Sequence, residues 1–462
     1  MKDKLNSAYD VSKGAALVIS TTAAFLTPFM GSSINIALPR IGTDFSMDAI
    51  LLSWVAQSYL LSAAIFLVPF GRLADIYGRK RIFTWGIAIF TLSSFLLALT
   101  NSVITLLSFR ILQAIGSAMI FGTGVAILTS VFPAQERGRV LGINVASVYA
   151  GLSFGPFLGG FLTEHFGWRS IFLVNVPLGL LVITLIFWKL KGEWVGAQGE
   201  KFDFVGSVIY GMTLAAIMYG ISLLPDLSAI WFIVAGVIGI WTFGRWEARV
   251  SCPVFNMALL RHNTVFTFSN IAALINYCST FAVGFLLSLY LQYTKGLSPQ
   301  NAGLILVSQP IIMSLISPIA GRLSDRFEPQ LLATIGMMVT FIGLIFFAFL
   351  SADTSLSVII FGLIVLGIGF AVFSSPNTNA VMSSVEKRFY GISSATLGTM
   401  RLIGNMFSMG IVMLIFATVI GRVQITPEHY PLFLKSVRIA FIIFAITCFG
   451  GIFASMARGK MR

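Results

Sequence analysis

The stretch GRLADIYGRKR, from Gly71 to Arg81, lies between two long apolar runs, and its opening frame returns 250 residues later as GRLSDRF, from Gly321 to Phe327. Small residues repeat on nearly the same spacing. Gly116 and Ala118 meet Gly369 and Ala371 at an offset of 253, and Gly138 and Gly151 meet Gly391 and Gly404 at the same offset. A six-helix unit has been used twice. Duplicated bundles with a binding site near the midplane between them are what alternating access requires. The repeat therefore points to a transporter whose halves rock against each other.

The runs around that loop are long enough to cross a bilayer. Of 462 residues, 57% are hydrophobic and 10% charged, against roughly 25% charged in soluble domains. The 42 phenylalanines and 43 glycines suit helices that face acyl chains on one side and pack closely on the other. With about 20 apolar residues as the length of a span, the sequence predicts fourteen helices, the first near 14–39 and the last near 438–457. Only Arg110 and Arg401 put charge inside them. The pair near 204–224 and 227–244 is the weakest, because the second helix would be only about 27 Å long. A re-entrant hairpin and twelve spans is the alternative there. The expected architecture is an all-α membrane protein: a six-helix bundle over 14–190, a linker over 191–263 with the two extra helices, and a second, pseudo-symmetric bundle over 264–457.

With the N-terminus inside, 22 of the 30 Lys and Arg fall in cytoplasmic segments and six in external loops. The positive-inside bias then puts both termini in the cytoplasm of a cell membrane. The apolar stretch that follows Lys2, Lys4 and Lys13 runs about 26 residues without a small-residue cleavage pattern, and reads as a retained first span. The net charge of +13 is scattered over short loops, whereas a nucleic-acid partner needs it gathered on one soluble face. Cys252, Cys278 and Cys448 lie far apart with no ligand spacing, so no metal is expected. No cluster of His, Asp, Cys or Glu suits an enzyme, and no phosphate-cradling glycine loop suits a nucleotide. A channel would show a pore loop or a charged ring. What remains is movement of a small molecule through lipid without a bound cofactor.

Four segments give the chain a family resemblance. The loop carries Gly71, Asp75, Gly78, Arg79 and Lys80; span four reads RILQAIGSAM, with Arg110, Gln113 and Gly116; span five reads GLSFGPFLGG from Gly151 to Gly160; and span one ends with GSSINIALP, from Gly31 to Pro39. Together they resemble the major facilitator superfamily, and within it the fourteen-span branch of drug:proton antiporters. The resemblance implies a conformational latch in the loop, with Asp325 at the matching place in the second half. Physically, Gly71 and Gly78 let backbones approach and turn, and Asp75 sits where a helix end and nearby arginines can hold a carboxylate. Arg79 and Lys80 face the cytoplasm. Gly151, Gly155 and Gly159 recur every fourth residue beside Pro156, a smooth stripe along which the two bundles are expected to meet. The resemblance ties this segment to antiport and Arg110 to proton movement. The plainer alternatives are a positive-inside anchor, ordinary helix packing, and an arginine satisfied by carbonyls and amides.

One departure matters. Members of the branch commonly carry an aspartate nine residues before the proline that Pro39 matches, and here that position is Met30. All 17 acidic residues fall outside the hydrocarbon, eleven on the cytoplasmic side and six outside: Asp44, Asp48, Glu164, Asp226, Asp353 and Glu428. His165, His262 and His429 lie near loops. Proton coupling usually needs a group at depth that is charged in one state and neutral in another. Glu164 or Asp44, at the outer mouth, is the place left for it. Two buried arginines without buried acids make a cavity that repels permanent cations and welcomes a neutral or anionic solute. Its expected lining is the set of polar residues in apolar runs: Asn35, Gln57, Tyr59, Arg110, Gln113, Asn144, Asn276, Gln309 and Arg401. The expected function is proton-coupled efflux of small amphipathic compounds; the alternative is uncoupled or differently coupled transport of a neutral or anionic metabolite.

Overall fold

The structure is a computed structural model that describes residues 13–197, 199–250, 257–386 and 390–459; Lys2, Lys4 and Cys252 lie outside them. Among the described residues, fourteen helices are long and apolar enough to cross a membrane. Spans one to six are Lys13–Asp44, Ala49–Tyr77, Arg79–Ala98, Val103–Val131, Gln135–Phe166 and Ser170–Lys189. Spans seven and eight are Phe204–Leu223 and Ser228–Glu247. Spans nine to fourteen are Thr264–Thr294, Pro299–Arg326, Pro329–Ala348, Leu356–Ser383, Ile392–Ile420 and Pro427–Ala457. Spans seven and eight have 20 residues each, which at ~1.5 Å per residue covers a hydrocarbon core. The re-entrant alternative is thereby set aside.

Local chemistry fixes the helix starts. Asp48 accepts from the Leu51 N–H at 2.7 Å, Ser102 from Thr105 at 3.2 Å and Asn263 from Phe266 at 2.9 Å, each supplying an acceptor that a first turn lacks. An uncharged stretch is a poor ruler for helix ends. Span one runs on through Pro39 and Arg40, and the helix of span fourteen starts at Tyr430, ahead of Lys435 and Arg438. The Arg438 side chain turns back to the Leu350 carbonyl, so a charge sits inside the helix without entering lipid. Span nine is also less regular than its sequence suggests. Its helix breaks after Thr280, where the Ala282 N–H donates to the Ser408 hydroxyl at 3.0 Å, and it ends in a π turn over Tyr290–Thr294.

The duplication is written into the packing. A Cβ on Gly116 would stand 2.7 Å from the Gly86 carbonyl oxygen, and one on Gly369 would stand 3.0 Å from the Gly336 carbonyl oxygen. Spans three and four thus approach as spans eleven and twelve do. Likewise Gly151 lies against the Phe25 carbonyl of span one, and Gly404 against the Leu274 carbonyl of span nine, both at 2.5 Å. In lipid, where no hydrophobic force drives helices together, such close backbone approach is the main source of packing energy.

Span seven lies across the two bundles. Its Tyr210 hydroxyl donates to the Ala64 carbonyl of span two at 3.1 Å, while Met218 reaches Gly410 of span thirteen. Ala64, Val68, Tyr210, Leu214, Ile217, Met218 and Met406 form one apolar cluster there. Span eight packs on span seven through Gly236 and Gly239, and its outer face is bare, with Trp231 77% exposed.

The glycine at 369 offers a direct check on this packing. Gly369→Val would put side-chain carbon within 2.6 Å of the Thr340 backbone nitrogen, and overpacking of this kind costs roughly 1–3 kcal/mol. A lowered midpoint of thermal aggregation in detergent is expected; a midpoint equal to the parent's would mean that spans eleven and twelve are not this close.

Candidate functional site

The bundles meet along spans one with nine, two with thirteen, and five with ten. We call the side that holds Gly71–Arg81 and Gly321–Phe327 the basic side. On the opposite side the seam is closed by hydrogen bonds between the halves. Ser288 donates to the Asn35 carbonyl at 2.6 Å, Gln292 to the Ile36 carbonyl at 3.0 Å, and Gln424 to the Ser46 carbonyl at 2.9 Å. The Gln300 N–H donates to the Glu164 carboxylate at 3.0 Å, and His165 lies 3.1 Å from the Gln300 side chain. Backbones touch as well. A Cβ on Gly303 would stand 2.1 Å from the Pro156 carbonyl oxygen, and one on Gly160 would stand 2.5 Å from the Pro299 carbonyl oxygen.

Toward the basic side the same faces diverge. Gly138 and Gly142 share the face of span five that carries Tyr149 and Pro156, by helical spacing. Gly321 shares the face of span ten that carries Ser317 and Gly303. A Cβ on Gly138, Gly142 or Gly321 would meet nothing within 4 Å. The seam is therefore shut at one end and open at the basic end.

The glycine stripe does not lie where it was expected. Gly151, Gly155 and Gly159 face span one of their own bundle, with a Cβ on Gly155 only 1.8 Å from the Ser32 hydroxyl oxygen. One residue further round the helix, Pro156 and Gly160 make the contact between bundles. The reason is angular: neighbouring residues on a helix point about 100° apart, so a stripe every fourth residue commits to one partner and its neighbours to another.

At mid-depth, spans five, nine, ten, twelve and thirteen bring polar groups together. Ser317 donates to the Tyr149 hydroxyl at 3.2 Å. The Arg401 guanidinium donates to the Thr378 hydroxyl at 2.6 Å and lies over the Tyr277 ring at 5.4 Å; Tyr277 in turn meets Phe370 edge-on. Ser374, Tyr277 and Arg401 all interact with the Tyr149 phenol. The Arg401 Nε and both amide atoms of Gln57 and of Asn276 are buried with no hydrogen-bond partner among the described residues, as is Asn144 Oδ1. A buried polar group left unpaired costs about 1–3 kcal/mol, so such atoms mark places for water or solute. Asn35 and Gln309 are half-buried; the first gives its carbonyl to the closed end, and the Gln309 backbone packs against Gly367. Sequence reading missed Tyr149 and Tyr277. Tyr149 was visible as the residue seven before Pro156 on one face, whereas Tyr277 is marked only by the position of Arg401.

Arg110, Gln113 and Tyr59 form a separate network inside the first bundle. The Arg110 Nε donates to the Val55 carbonyl at 3.1 Å, its Nη1 to Gln113 at 2.7 Å, and the guanidinium stacks on Tyr59 at 4.5 Å. Gln113 passes the chain on to Ser94, and Tyr59 to Ser117. All these partners are neutral. Leu402, next to Arg401, packs on Tyr59 and Ala63, so the network backs directly onto the seam.

In the loop, Arg79 holds Asp75 through Nε at 2.9 Å and Nη2 at 2.8 Å, and its Nη1 reaches Ser130 of span four at 2.8 Å. Gly78 makes the turn at φ +115°. Gly71 has open space around its own Cβ position; the close approach there belongs to Gly122, whose Cβ would stand 3.3 Å from the Gly71 Cα. Lys80 contributes its backbone N–H to Glu193, and Asp325 is exposed at the end of span ten.

A duplicated helical bundle with a seam open at one end defines a membrane transporter. The model of the Major Facilitator Superfamily matches residues 21–409 and 269–459, and the chain belongs to that family. It is 32% identical to the riboflavin transporter RibZ of Clostridioides difficile (strain 630), over 95% of this chain and 96% of that one. It is 31% identical to the multidrug resistance protein Stp of Mycobacterium tuberculosis, over 80% of this chain and 70% of that one. The tetracenomycin C resistance and export protein of Streptomyces glaucescens is 26% identical, over 84% and 73%. Among solved structures, an inward-facing, unoccupied bacterial homologue of the human lysosomal transporter Spinster superposes with a TM-score of 0.67 at 17% identity, covering 96% of this chain and 97% of that one. The peptide transporter POT in complex with sulfate gives 0.68 at 14%, covering 94% of each. At these identities the two structures speak for the fold alone.

Two outcomes are expected from this geometry. Gly303→Val would prevent closure against Pro156, and should raise the labelling rate of a cysteine at Ser288, which is buried at the closed end, by an impermeant thiol reagent; an unchanged rate would remove the seal. Asp75→Asn, which leaves the hydrogen bond from Arg79 to Ser130, should insert normally yet lower initial transport rates roughly tenfold, and parental rates would leave the Asp75–Arg79 pair without a part in the cycle.

Proposed function

We propose that the chain is a secondary transporter that carries a small neutral or anionic solute with an aromatic ring system by alternating access. Arg401 carries this reading. It sits at the seam, and its described partners, Thr378, Tyr277 and Tyr149, are all neutral. A guanidinium without a carboxylate beside it attracts the oxygens of a solute and repels a permanent cation. The unpaired amides of Gln57 and Asn276 offer donors and acceptors to the edge of a heterocycle, and the tyrosines offer faces for stacking. The name of RibZ supports the same chemistry, because riboflavin is a planar heterocycle with no permanent positive charge. In this reading the chain lies in the cell membrane with the basic side and both termini in the cytoplasm, following the positive-inside count. The seam then opens to the cytoplasm.

The names of Stp and of the tetracenomycin exporter favour a second reading, proton-coupled efflux of drugs. Coupling would then fall to Glu164, which joins the halves at the closed end.

Purified protein in vesicles with an imposed pH gradient separates the two. Riboflavin is expected to move faster than ethidium, with little dependence on the gradient, and Arg401→Gln should weaken riboflavin binding about tenfold. Faster accumulation of ethidium would sink the first reading. A gradient-driven flux abolished by Glu164→Gln would establish the second.

A further inference from the structure

The segment between spans six and seven splints the loop between spans two and three. Span three begins at Arg79, directly after Gly78, which has no side chain with which to cap a helix. The first turn of a helix leaves N–H groups without acceptors inside the helix. Here they are met from the linker. The Arg79 N–H donates to the Trp194 carbonyl at 2.9 Å, the Lys80 N–H to Glu193 Oε1 at 2.8 Å, and the Arg81 N–H to Glu193 Oε2 at 3.1 Å. From the same segment, Gly196 and Ala197 donate to the Asp75 carbonyl at 3.0 and 2.9 Å, and Glu200 pairs with Arg72. Gly78 admits the carboxylate: a Cβ there would stand 2.5 Å from the Glu193 Cδ. Gly196 lies over the ion pair itself, its Cβ position 3.1 Å from Arg79 Nη2 and 3.4 Å from Asp75 Oδ1.

We propose that Glu193 is a positioning residue for the transport cycle: by capping span three it keeps the Arg79 guanidinium on Asp75, and the linker, described at residues 193–197 and 199–203, couples movement of span seven to that pair. The proposal rests on the alternating-access reading. A carboxylate is favoured at a helix N-terminus by the peptide dipoles, and here it replaces the cap that the glycine turn lacks. The far end of the segment is tied as firmly. Asp203 accepts from the Gly206 N–H at 2.8 Å, opening span seven, and from the Trp246 indole at 3.1 Å. Span seven touches both bundles, so their relative motion pulls on one end of a short tether whose other end holds the loop.

Spin labels on cysteines at Arg139 and Arg326, exposed at the basic ends of spans five and ten, report the separation of the halves without any substrate. Cys252, Cys278 and Cys448 are first replaced by serine. The cap is made while the basic ends are apart, so Glu193→Ala is expected to lower the population with those ends apart roughly five-fold. Glu193→Gln keeps an acceptor and should fall between alanine and parent. Gly196→Ala leaves the cap intact, presses a methyl group on the ion pair, and should shift the population the same way. In vesicles, Glu193→Ala should lower the maximal riboflavin flux while its KM stays within about twofold of the parent. Where the alanine variant is not recovered from membranes, the other two carry the test. Distance distributions for Glu193→Gln and Gly196→Ala that superimpose on the parent's overturn the proposal. Shifted distributions in a protein whose parent moves no riboflavin support it, and overturn only the substrate reading.

Discussion

Span five is bare on two adjoining faces, and the whole seam depends on that. Gly151, Gly155 and Gly159 let it lie on span one with backbone against backbone, while Pro156 and Gly160 let it lie on span ten just as closely. The first contact joins neighbours within a bundle; the second joins the bundles. A single helix thereby transmits the position of one half to the other with almost no side chain between. Packing this tight is intolerant of added volume, which is why small residues occupy both faces. The loop at the basic side and the polar groups at mid-depth have meaning only because this contact is closed at one end and absent at the other.

The charge balance follows from the same economy. Arg110 is buried in the first bundle with no acidic partner among the described residues, and is held by a carbonyl, an amide and an aromatic ring. Arg458, just beyond span fourteen, is treated similarly by Asn377, Ser269 and Ser455, and burial brings its guanidinium down to about 10, still charged at neutral pH. Neutral oxygens spread over several helices can hold a guanidinium because it offers five donors in a fixed plane. Such networks bind helices together without needing a carboxylate that lipid would penalise. Arg401 differs in having a nitrogen left over among the described residues. That surplus is what separates a cross-brace from a place where a solute can bind.

Much of the fold was legible because lipid removes choices. Every backbone group must be satisfied within its own helix, so length and polarity count the spans, and the recurrence of Gly116 as Gly369 and of Gly151 as Gly404 exposes the duplication. The candidate site was legible in part. Polar residues in apolar runs named Arg401, Asn276 and Gln57, which keep buried atoms without a partner among the described residues, and by the same rule Arg110 and Gln113, which are bonded to each other and to neighbours in the first bundle. A one-dimensional pattern records which helix face is small without recording which neighbour it meets, and the stripe through Gly155 was assigned to the wrong neighbour for that reason. Glu193 gave no sign in sequence. Its role arises from a fold-back between residues more than a hundred apart, and periodicity does not encode such a contact.

The two flanks of the seam are not equivalent. Span seven roofs the crossing of spans two and thirteen with an apolar layer that includes Tyr210, Leu214 and Met218, whereas among the described residues no such helix covers spans five and ten. The extra helix pair therefore gives a nearly two-fold symmetric pair of bundles a front and a back.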